Sequence, residues 1–395
     1  MPVNFIYTAW LIFQAIVAVI IVFPIFSYFF YILIRQKPSK KDTHPKGEGD
    51  YAILVTAYTD TANIPFVVNS LLSQHFTNFI IYIIADNCKG FKDNFLDERV
   101  VVLQPEEVLQ NQLKSHFYAI GHFKRNHKRL IIIDSDNLVD PAFLTNIDKL
   151  FDAGYSAVQG VRKAKNLNTA YACLDAANEI YYFFFNRKIL FNIGSSSMLS
   201  GSGMAFTVSL YKECLAHVQD SGAGFDKILQ KEIISKGYRI AFAEDAVVYD
   251  EKTAHRDQLV KQRARWNNTW FRYFNFGLQL MWQGITQLNL NRFVFGFIII
   301  RPPLFLLLGL SVTLLFANIF ININIAFAWV IVLLSFTAGF FIALTKSNTD
   351  KRIYQALVHI PKFVFLQVLS LFKTRKANQF SVATIHVHRE ENNNS

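Results

Sequence analysis

The sequence predicts an α/β domain flanked by transmembrane helices, on three observations. Residues 1–34 carry no charged side chain and hold one long apolar run. From Tyr51 onward, short runs rich in β-branched residues alternate with stretches of helical period, the pattern of a parallel sheet covered by helices. Residues 293–345 then form a second apolar block with a single charge, Arg301. Composition agrees: the chain has 395 residues, 52% of them hydrophobic and only 17% charged, a low charge content for a soluble protein.

The first run, Phe5 to Ile34, is about 30 residues or roughly 45 Å as a helix, enough to span a bilayer with tilt. A cleaved signal peptide would need a basic start, a shorter apolar core and a small-residue cleavage site, and none is evident, so residues 1–34 read as a retained span. Arg35, Lys37, Lys40, Lys41 and Lys46 follow against Asp42, which puts the N-terminus outside and the chain beyond Arg35 in the cytosol. Residues 35–50, basic and dotted with proline and glycine, read as a linker.

Tyr51 to Ala57 reads as a strand, and Ile64 to Gln74 as a helix with Pro65 in its first turn. Phe79 to Ala85 reads as a second buried strand that ends at Asp86-Asn87. A short strand at Val100 to Leu103 and a helix at Leu113 to Phe123 follow. Leu130 to Ile133 reads as a strand buried on both faces, stopping at Asp134-Ser135-Asp136. Ligands of open α/β sheets sit outside the carboxyl ends of the strands. Two carboxylates one residue apart can turn there toward one point, which suits a hard divalent cation with bound phosphates. The same residues also suit a plain turn.

The net charge of +11 is clustered beside apolar stretches, which favours an anionic membrane surface or a phosphate-bearing substrate over nucleic acid. No zinc spacing and no nucleic-acid motif is present. Cys88, Cys173 and Cys214 are scattered and odd in number, consistent with a reducing compartment. Residues 253–292 read as amphipathic interface helices, with six Lys/Arg against Asp257 between Lys252 and Arg272. Two spans follow within 293–345, at 303–319 and 325–345, with Arg301 snorkelling to the cytosolic face. Lys346, Lys351 and Arg352 return the chain to the cytosol. Residues 346–395 read as an interfacial or re-entrant helix at Ala356 to Phe372, then basic residues and a disordered tail from Glu390.

Several elements in order carry a resemblance to membrane-bound inverting glycosyltransferases of family 2, with the nucleotide-sugar-binding fold called GT-A. Ile83-Ile84-Ala85-Asp86-Asn87-Cys88 resembles the family's uridine-contacting segment. Asp134-Ser135-Asp136 resembles its metal and diphosphate motif, and Ser200-Gly-Ser-Gly-Met-Ala205 its small-residue segment before the acceptor site. Gly237 to Ile240 and Val248 to Glu251 also resemble family landmarks. Gln262-Arg-Ala-Arg-Trp266 matches Gln-x-x-Arg-Trp, a motif of the processive hyaluronan, chitin and cellulose synthases. Three positions depart from the pattern. Thr59-Asp60 stands where Asn-Glu is common, His116 or Lys114 where a lysine is common, and Phe225-Asp226 where two acids are usual.

The resemblance implies residues 51–252 as a cytosolic GT-A domain using a UDP-sugar with Mg²⁺ or Mn²⁺. Asp86, Asp134, Asp136, Arg263 and Arg265 are then the donor-binding residues, with the metal on Asp134 and Asp136. Gly201, Gly203, Gln262 and Trp266 are acceptor residues, although the two glycines also suit a plain turn, and Trp266 a membrane interface. Asp226 is the general base, desolvated by Phe225, or else a cap of the helix Lys227 to Lys236. Glu244-Asp245 is the rival pair. The implied enzyme is a hexosyl- or N-acetylhexosaminyltransferase of a bacterial inner membrane, acting on a glycan or lipid acceptor in polysaccharide synthesis, alone or as a homo- or hetero-oligomer. Single-sugar transfer to a lipid and a non-catalytic nucleotide-sugar sensor are the alternatives.

Overall fold

The computed structural model describes residues 2–34, 49–92, 94–218 and 224–374. The basic linker at 35–48 and the tail beyond Thr374, with Arg375, Lys376 and Glu390, lie outside these residues.

Helix α1 (Pro2–Ile34) precedes a run of alternating elements. These are β1 (Tyr51–Tyr58), α2 (Ile64–Leu72), β2 (Phe79–Asp86), β3 (Val100–Leu103), α3 (Gln112–Gly121), β4 (Arg129–Asp134), β5 (Leu138–Val139), α4 (Phe143–Asp152) and β6 (Ala157–Ala164). Helix α5 (Ala170–Phe183) continues through a π-helical stretch, Phe184–Ile189, into α6 (Leu190–Asn192). Then come β7 (Met204–Thr207), α7 (Val208–Leu215), α8 (Phe225–Ser235), β8 (Ile240–Asp250), α9 (Arg256–Thr286), α10 (Leu290–Ile300), α11 (Leu304–Ile321), α12 (Ile323–Lys346), α13 (Lys351–Ala356) and α14 (Ile360–Phe372).

The eight strands form one sheet in the order β3-β2-β1-β4-β7-β6-β8-β5. The four strands read from β-branched runs, β3, β2, β1 and β4, are parallel as expected. Beyond β4 the expectation of a parallel sheet holds only for the pair β6 and β8. Strand β7 runs antiparallel to both β4 and β6, and β5 antiparallel to β8. No helix separates β4 from β5, and β7 follows a long helical excursion, so neither is bound by the right-handed crossover that makes neighbours parallel.

Side chains alternate across the sheet with period two. Tyr51, Ile53 and Val55 face one apolar layer with α2 and α4, while Ala52 and Leu54 face a second with α3, α7 and α8. This two-sided burial explains why these strands read as unbroken apolar runs.

Among the described residues four helical segments are long and apolar enough to cross a membrane: Phe5–Ile34, Leu304–Ile321, Ile323–Lys346 and Lys351–Phe372. Inside the bundle Gln14 Oε1 accepts hydrogen bonds from Asn318 Nδ2 and Trp329 Nε1, both at 2.7 Å, an amide clasp that ties α1 to α11 and α12. Arg301 does not snorkel. It is 8% exposed and gives an N–H to Asn186 Oδ1 at 3.3 Å, because the break at Pro302-Pro303 turns it inward against the π-helical stretch.

Candidate active site

The carboxyl ends of the central strands come out level, with Tyr58 opposite Asp86 and Thr56 opposite Asp134. Three non-glycine residues at this edge take positive φ: Thr59 at 61°, Asn87 at 54° and Gln110 at 45°. For the β-branched Thr59 such a backbone is strained, and strain of this kind gathers at ligand-facing edges.

Asp86 is buried, and its carboxylate accepts the N–H groups of Leu109 and Gln110 at 3.0 and 2.7 Å. It thereby fixes the loop into α3. Asn111 caps that helix by accepting the N–H groups of Leu113 and Lys114. The first helical residue, Gln112, then extends its amide to Asp134 Oδ1 at 3.5 Å. Asp86 thus stands in the crevice as the residue that shapes the edge beside Asp134.

The Ser200–Gly203 segment is stitched to the same edge. Ser202 Oγ accepts the Asp134 N–H at 3.1 Å. Gln159, inside β6, accepts the Ser200 N–H at 2.9 Å and donates to the Ser202 carbonyl at 3.1 Å. Gly203 has φ +66°, and a Cβ there would lie 3.0 Å from Val248 Cγ2, so no side chain fits this turn. Gly201 also sits at positive φ.

Asp136 Oδ1 accepts from Asn137 Nδ2 at 3.0 Å, and the same amide reaches Asp250 Oδ1 at 3.3 Å. Asp250 is paired with Arg162 and Lys252, and both cations also pair with Glu179. Arg162 donates in addition to the Ser200 carbonyl at 2.8 Å. Burial, then the neighbouring Asp136, pushes the Asp134 carboxyl well above the usual carboxylate range. Burial also acts upward on Asp250, but Arg162 and Lys252 override it and hold that carboxyl low. Asn137 Oδ1 is buried with no hydrogen-bond partner. Among the described residues no group of three or more His, Cys, Asp or Glu side chains forms a cage for a metal. The destabilised Asp134 carboxyl, with Asp136 and an unpaired carbonyl beside it, fits instead a cation whose other ligands are phosphate oxygens. Sequence reasoning missed Arg162, Glu179 and Gln112, which carry no periodic signal. Lys252 directly follows the flagged Val248 to Glu251.

Asp226 occupies the second position of α8, whose cap is Gly224, so it is not the helix cap. It faces Lys227 Nζ at 2.9 Å and lies within electrostatic reach of Arg187. Phe225 points into the core, its ring edge-on to His116 at 5.2 Å. His116 is fully buried, bonded through Nδ1 to the Tyr211 hydroxyl at 2.7 Å, and burial pulls its imidazole down to about 3. It is therefore a neutral core residue and not a substitute for a phosphate-binding lysine.

A Cβ on Gly224 would lie 2.9 Å from the Tyr273 ring and 3.1 Å from Thr269, so α8 begins in direct contact with α9. Arg265 precedes Thr269 by one turn on that face, which brings it toward the start of α8. Gln262 accepts from Thr253 Oγ1 at 3.2 Å, next to Lys252. Trp266 is 46% exposed with Arg263 stacked on its ring at 4.3 Å. Arg263 itself departs from expectation. Its guanidinium is buried and paired with Asp175 of α5, which ties α9 to α5 and takes the fork away from a diphosphate role. Glu244 and Asp245 are both exposed where β8 bulges out of register with β6. Glu244 pairs with Lys188, and the Asp245 carbonyl accepts from Asn146.

A mixed sheet with paired aspartates at a strand end, stitched to a small-residue loop, is the arrangement of a nucleotide-sugar glycosyltransferase. Residues 48–269 match the family described as "Glycosyltransferase like family 2", and the chain belongs to that family. The structure resembles the mannosyltransferase PcManGT from Pyrobaculum calidifontis in complex with GDP-Man and Mn²⁺, with 14% identity, a TM-score of 0.57, and 91% of this chain and 99% of that one covered. It also matches S. aureus TarS 1–349 at 13% identity and a TM-score of 0.40, over 84% of this chain and 90% of that one. No curated protein gives a significant match. The likeness to PcManGT shows a common GT-A fold.

Proposed function

We propose that the chain transfers a sugar, with inversion, from a UDP-sugar to a glycan or lipid-linked acceptor at the cytosolic face of a membrane. The observation that carries this reading is the stitching of Ser200–Gly203 to Asp134 beside Asp136. That junction joins the diphosphate end of the crevice to the acceptor end. A divalent cation, Mg²⁺ or Mn²⁺, on Asp134 and Asp136 would neutralise the diphosphate leaving group. Asn137 and Gln112 orient the two carboxylates. Asp226 takes the proton of the acceptor hydroxyl as it attacks the anomeric carbon. Arg265 supports the departing diphosphate, and Gln262 and Trp266 offer the acceptor sugar an amide and a flat apolar face. The core position of Phe225 supports an enzyme over a sensor. The acid missing from that position would have pointed into the core, and Asp226 keeps the crevice supplied with a carboxylate.

A screen of UDP-sugars and GDP-mannose for Mn²⁺-dependent donor hydrolysis tests the reading. One donor should turn over, and Asp136→Asn should abolish that turnover with the fold retained. Turnover of Asp136→Asn equal to wild type at saturating Mn²⁺ would refute the metal assignment. Product length on a gel separates the polymer expected from Gln262–Trp266 from single addition.

A further inference from the structure

A backbone tie and a side-chain tie join the two ends of the crevice, and they differ in what they hold. The Asp134 N–H on Ser202 Oγ fixes the Ser200–Gly203 segment to the end of β4 and leaves the aspartate side chains out. The other tie starts on a side chain. Asp136 Oδ1 accepts from Asn137 Nδ2 at 3.0 Å, and that amide also reaches Asp250 Oδ1 at 3.3 Å. Asp250 turns its second oxygen to Arg162 Nη2 and to Lys252 Nζ. Arg162 Nη1 then donates to the Ser200 carbonyl at 2.8 Å. The contacts thus run unbroken from Asp136 to Ser200.

The guanidinium is committed to its neighbours. Nη1 serves Ser200, Nη2 serves Asp250, and Nε lies 3.3 Å from Glu179 Oε1. Lys252, 3% exposed, faces the same two carboxylates, so two cations balance two anions and neither is spare for a diphosphate. From β6, Arg162 therefore holds three separate elements: the acceptor segment, the end of β8, and α5. The planar fork fixes their directions relative to one another, which one ammonium nitrogen on a flexible stem does not. Separating buried charged partners is strongly unfavourable, so a displacement at one end is passed on rather than absorbed. Asn137 suits the first link. It is fully buried, its Oδ1 has no partner, and its amide is held through Nδ2, so it follows Asp136.

We propose that Arg162 is a positioning residue that couples Asp136 to the acceptor segment. When Asp136 engages a cation, the pull passes through Asn137 and Asp250 to Arg162, which tightens Ser200–Gly203 by its carbonyl. This rests on the transferase reading and adds the residue that aligns its two ends. Arg162 touches neither the metal nor the sugars, and it acts through the groups that do.

The test is amide hydrogen exchange of a peptide spanning residues 198–204, in the full chain in phosphatidylcholine nanodiscs. Exchange is followed without ligand, with saturating Mn²⁺, and with saturating Mn²⁺ and UDP, bound Mn²⁺ being counted by electron paramagnetic resonance. At saturation the added protection equals the ratio of affinities for the tightened and loosened segment, which is the coupling itself. Wild type should gain about fivefold or more. Asn137→Ala cuts the link between Asp136 and Asp250 and leaves Arg162 on Ser200. Its exchange without ligand should match wild type, and its gain should fall below about twofold. Arg162→Lys keeps the charge and loses the fork, so the gain should vanish there too while Mn²⁺ and UDP still bind. A merely structural Arg162 would speed exchange without ligand and keep the full gain, which overturns the proposal. A full gain in Asn137→Ala overturns it as well, whether or not Arg162→Lys folds. So does an Asn137→Ala that binds no Mn²⁺, because Asn137 then belongs to the metal site and not to a route. Absence of any gain in wild type has the same force. A wild type that binds Mn²⁺ but no UDP refutes the transferase reading, and the Mn²⁺ measurement still decides Arg162. Binding of neither overturns both.

Discussion

At the scale of single residues, the carboxylates divide by what surrounds them. Burial and the neighbouring Asp136 raise the need of Asp134 for a cation, whereas Asp250 is neutralised by Arg162 and Lys252 and serves to hold Asn137. Asp226 alone stands at a helix start in contact with α9 without joining either group, and this suits a base. Asp226→Asn keeps the shape and removes the proton acceptor, so transfer should fall roughly 10²- to 10⁴-fold while UDP-sugar affinity stays within a few fold. Calorimetry and radiolabelled transfer on one preparation check this. Survival of transfer here, with its loss in Asp245→Asn, would move the base to the exposed bulge. His116 makes a separate prediction. Its folded value near 3 lies below the ordinary 6.5, so the unfolded chain binds a proton that the fold refuses. The neutral ring contributes its full stability above pH 6.5 and loses it as pH falls toward 3. Between pH 7.5 and 5 that is about 2 kcal/mol. His116→Gln should flatten this part of the acid limb, and parallel denaturation curves of variant and wild type at both pH values would contradict it.

At the scale of elements, what the sequence disclosed depended on whether a signal was local. The strands β1, β2 and β4 are buried on both faces, and such strands must be runs of Ile, Val and Leu, so their ends at Asp86 and Asp134 were legible. The antiparallel β7 is only four residues long, and nothing in Met204–Thr207 states its direction. The Arg162–Glu179–Lys252 network joins three distant elements and leaves no spacing to read. Arg263 shows how a motif can mislead about a neighbour of its fixed residues. It fills a variable position inside Gln-x-x-Arg-Trp and offered a second phosphate fork beside Arg265, yet the packing of α9 on α5 turns it to Asp175. Arg263 and the motif arginine Arg265 should therefore separate by experiment. Removing Arg263 leaves Asp175 buried without its partner, so Arg263→Gln should destabilise the protein by about 3–5 kcal/mol. Arg265→Gln should leave the melting temperature near wild type and lower transfer. Equal stability of Arg263→Gln and wild type, with a raised donor KM, would return Arg263 to the diphosphate.

At the scale of the whole molecule, the unresolved choice is the path of Lys351–Phe372, the least apolar of the four segments long enough to cross a membrane. Its contacts favour a helix that lies along the catalytic domain. At its start Ile353 packs with Leu174 and Leu259 in one apolar cluster, and midway Phe363 lies under the Arg263 guanidinium. Near its end Ser370 Oγ accepts from Asn267 at 3.0 Å, and the Thr374 carbonyl accepts from Asn268 at 3.0 Å. Both ends thus rest on helices that carry the candidate site, and a span would separate them by the thickness of the bilayer core, roughly 30 Å. The charges agree: Lys346 precedes the segment, Lys351 and Arg352 open it and Lys373 follows it, so leaving both ends on one side satisfies the positive-inside rule. The turn between α11 and α12, Asn322, carries no charge, and the same rule predicts it on the other side. Single cysteines at Asn322, Asn348 and Lys373, in a background without Cys88, Cys173 and Cys214, test the arrangement. A membrane-impermeant maleimide applied outside intact cells should label position 322 and miss 348 and 373, and permeabilisation should expose both. Labelling of 373 together with 322 would make α14 a span, and would require its hydrogen bonds to Asn267 and Asn268 to lie within the membrane rather than on its cytosolic surface.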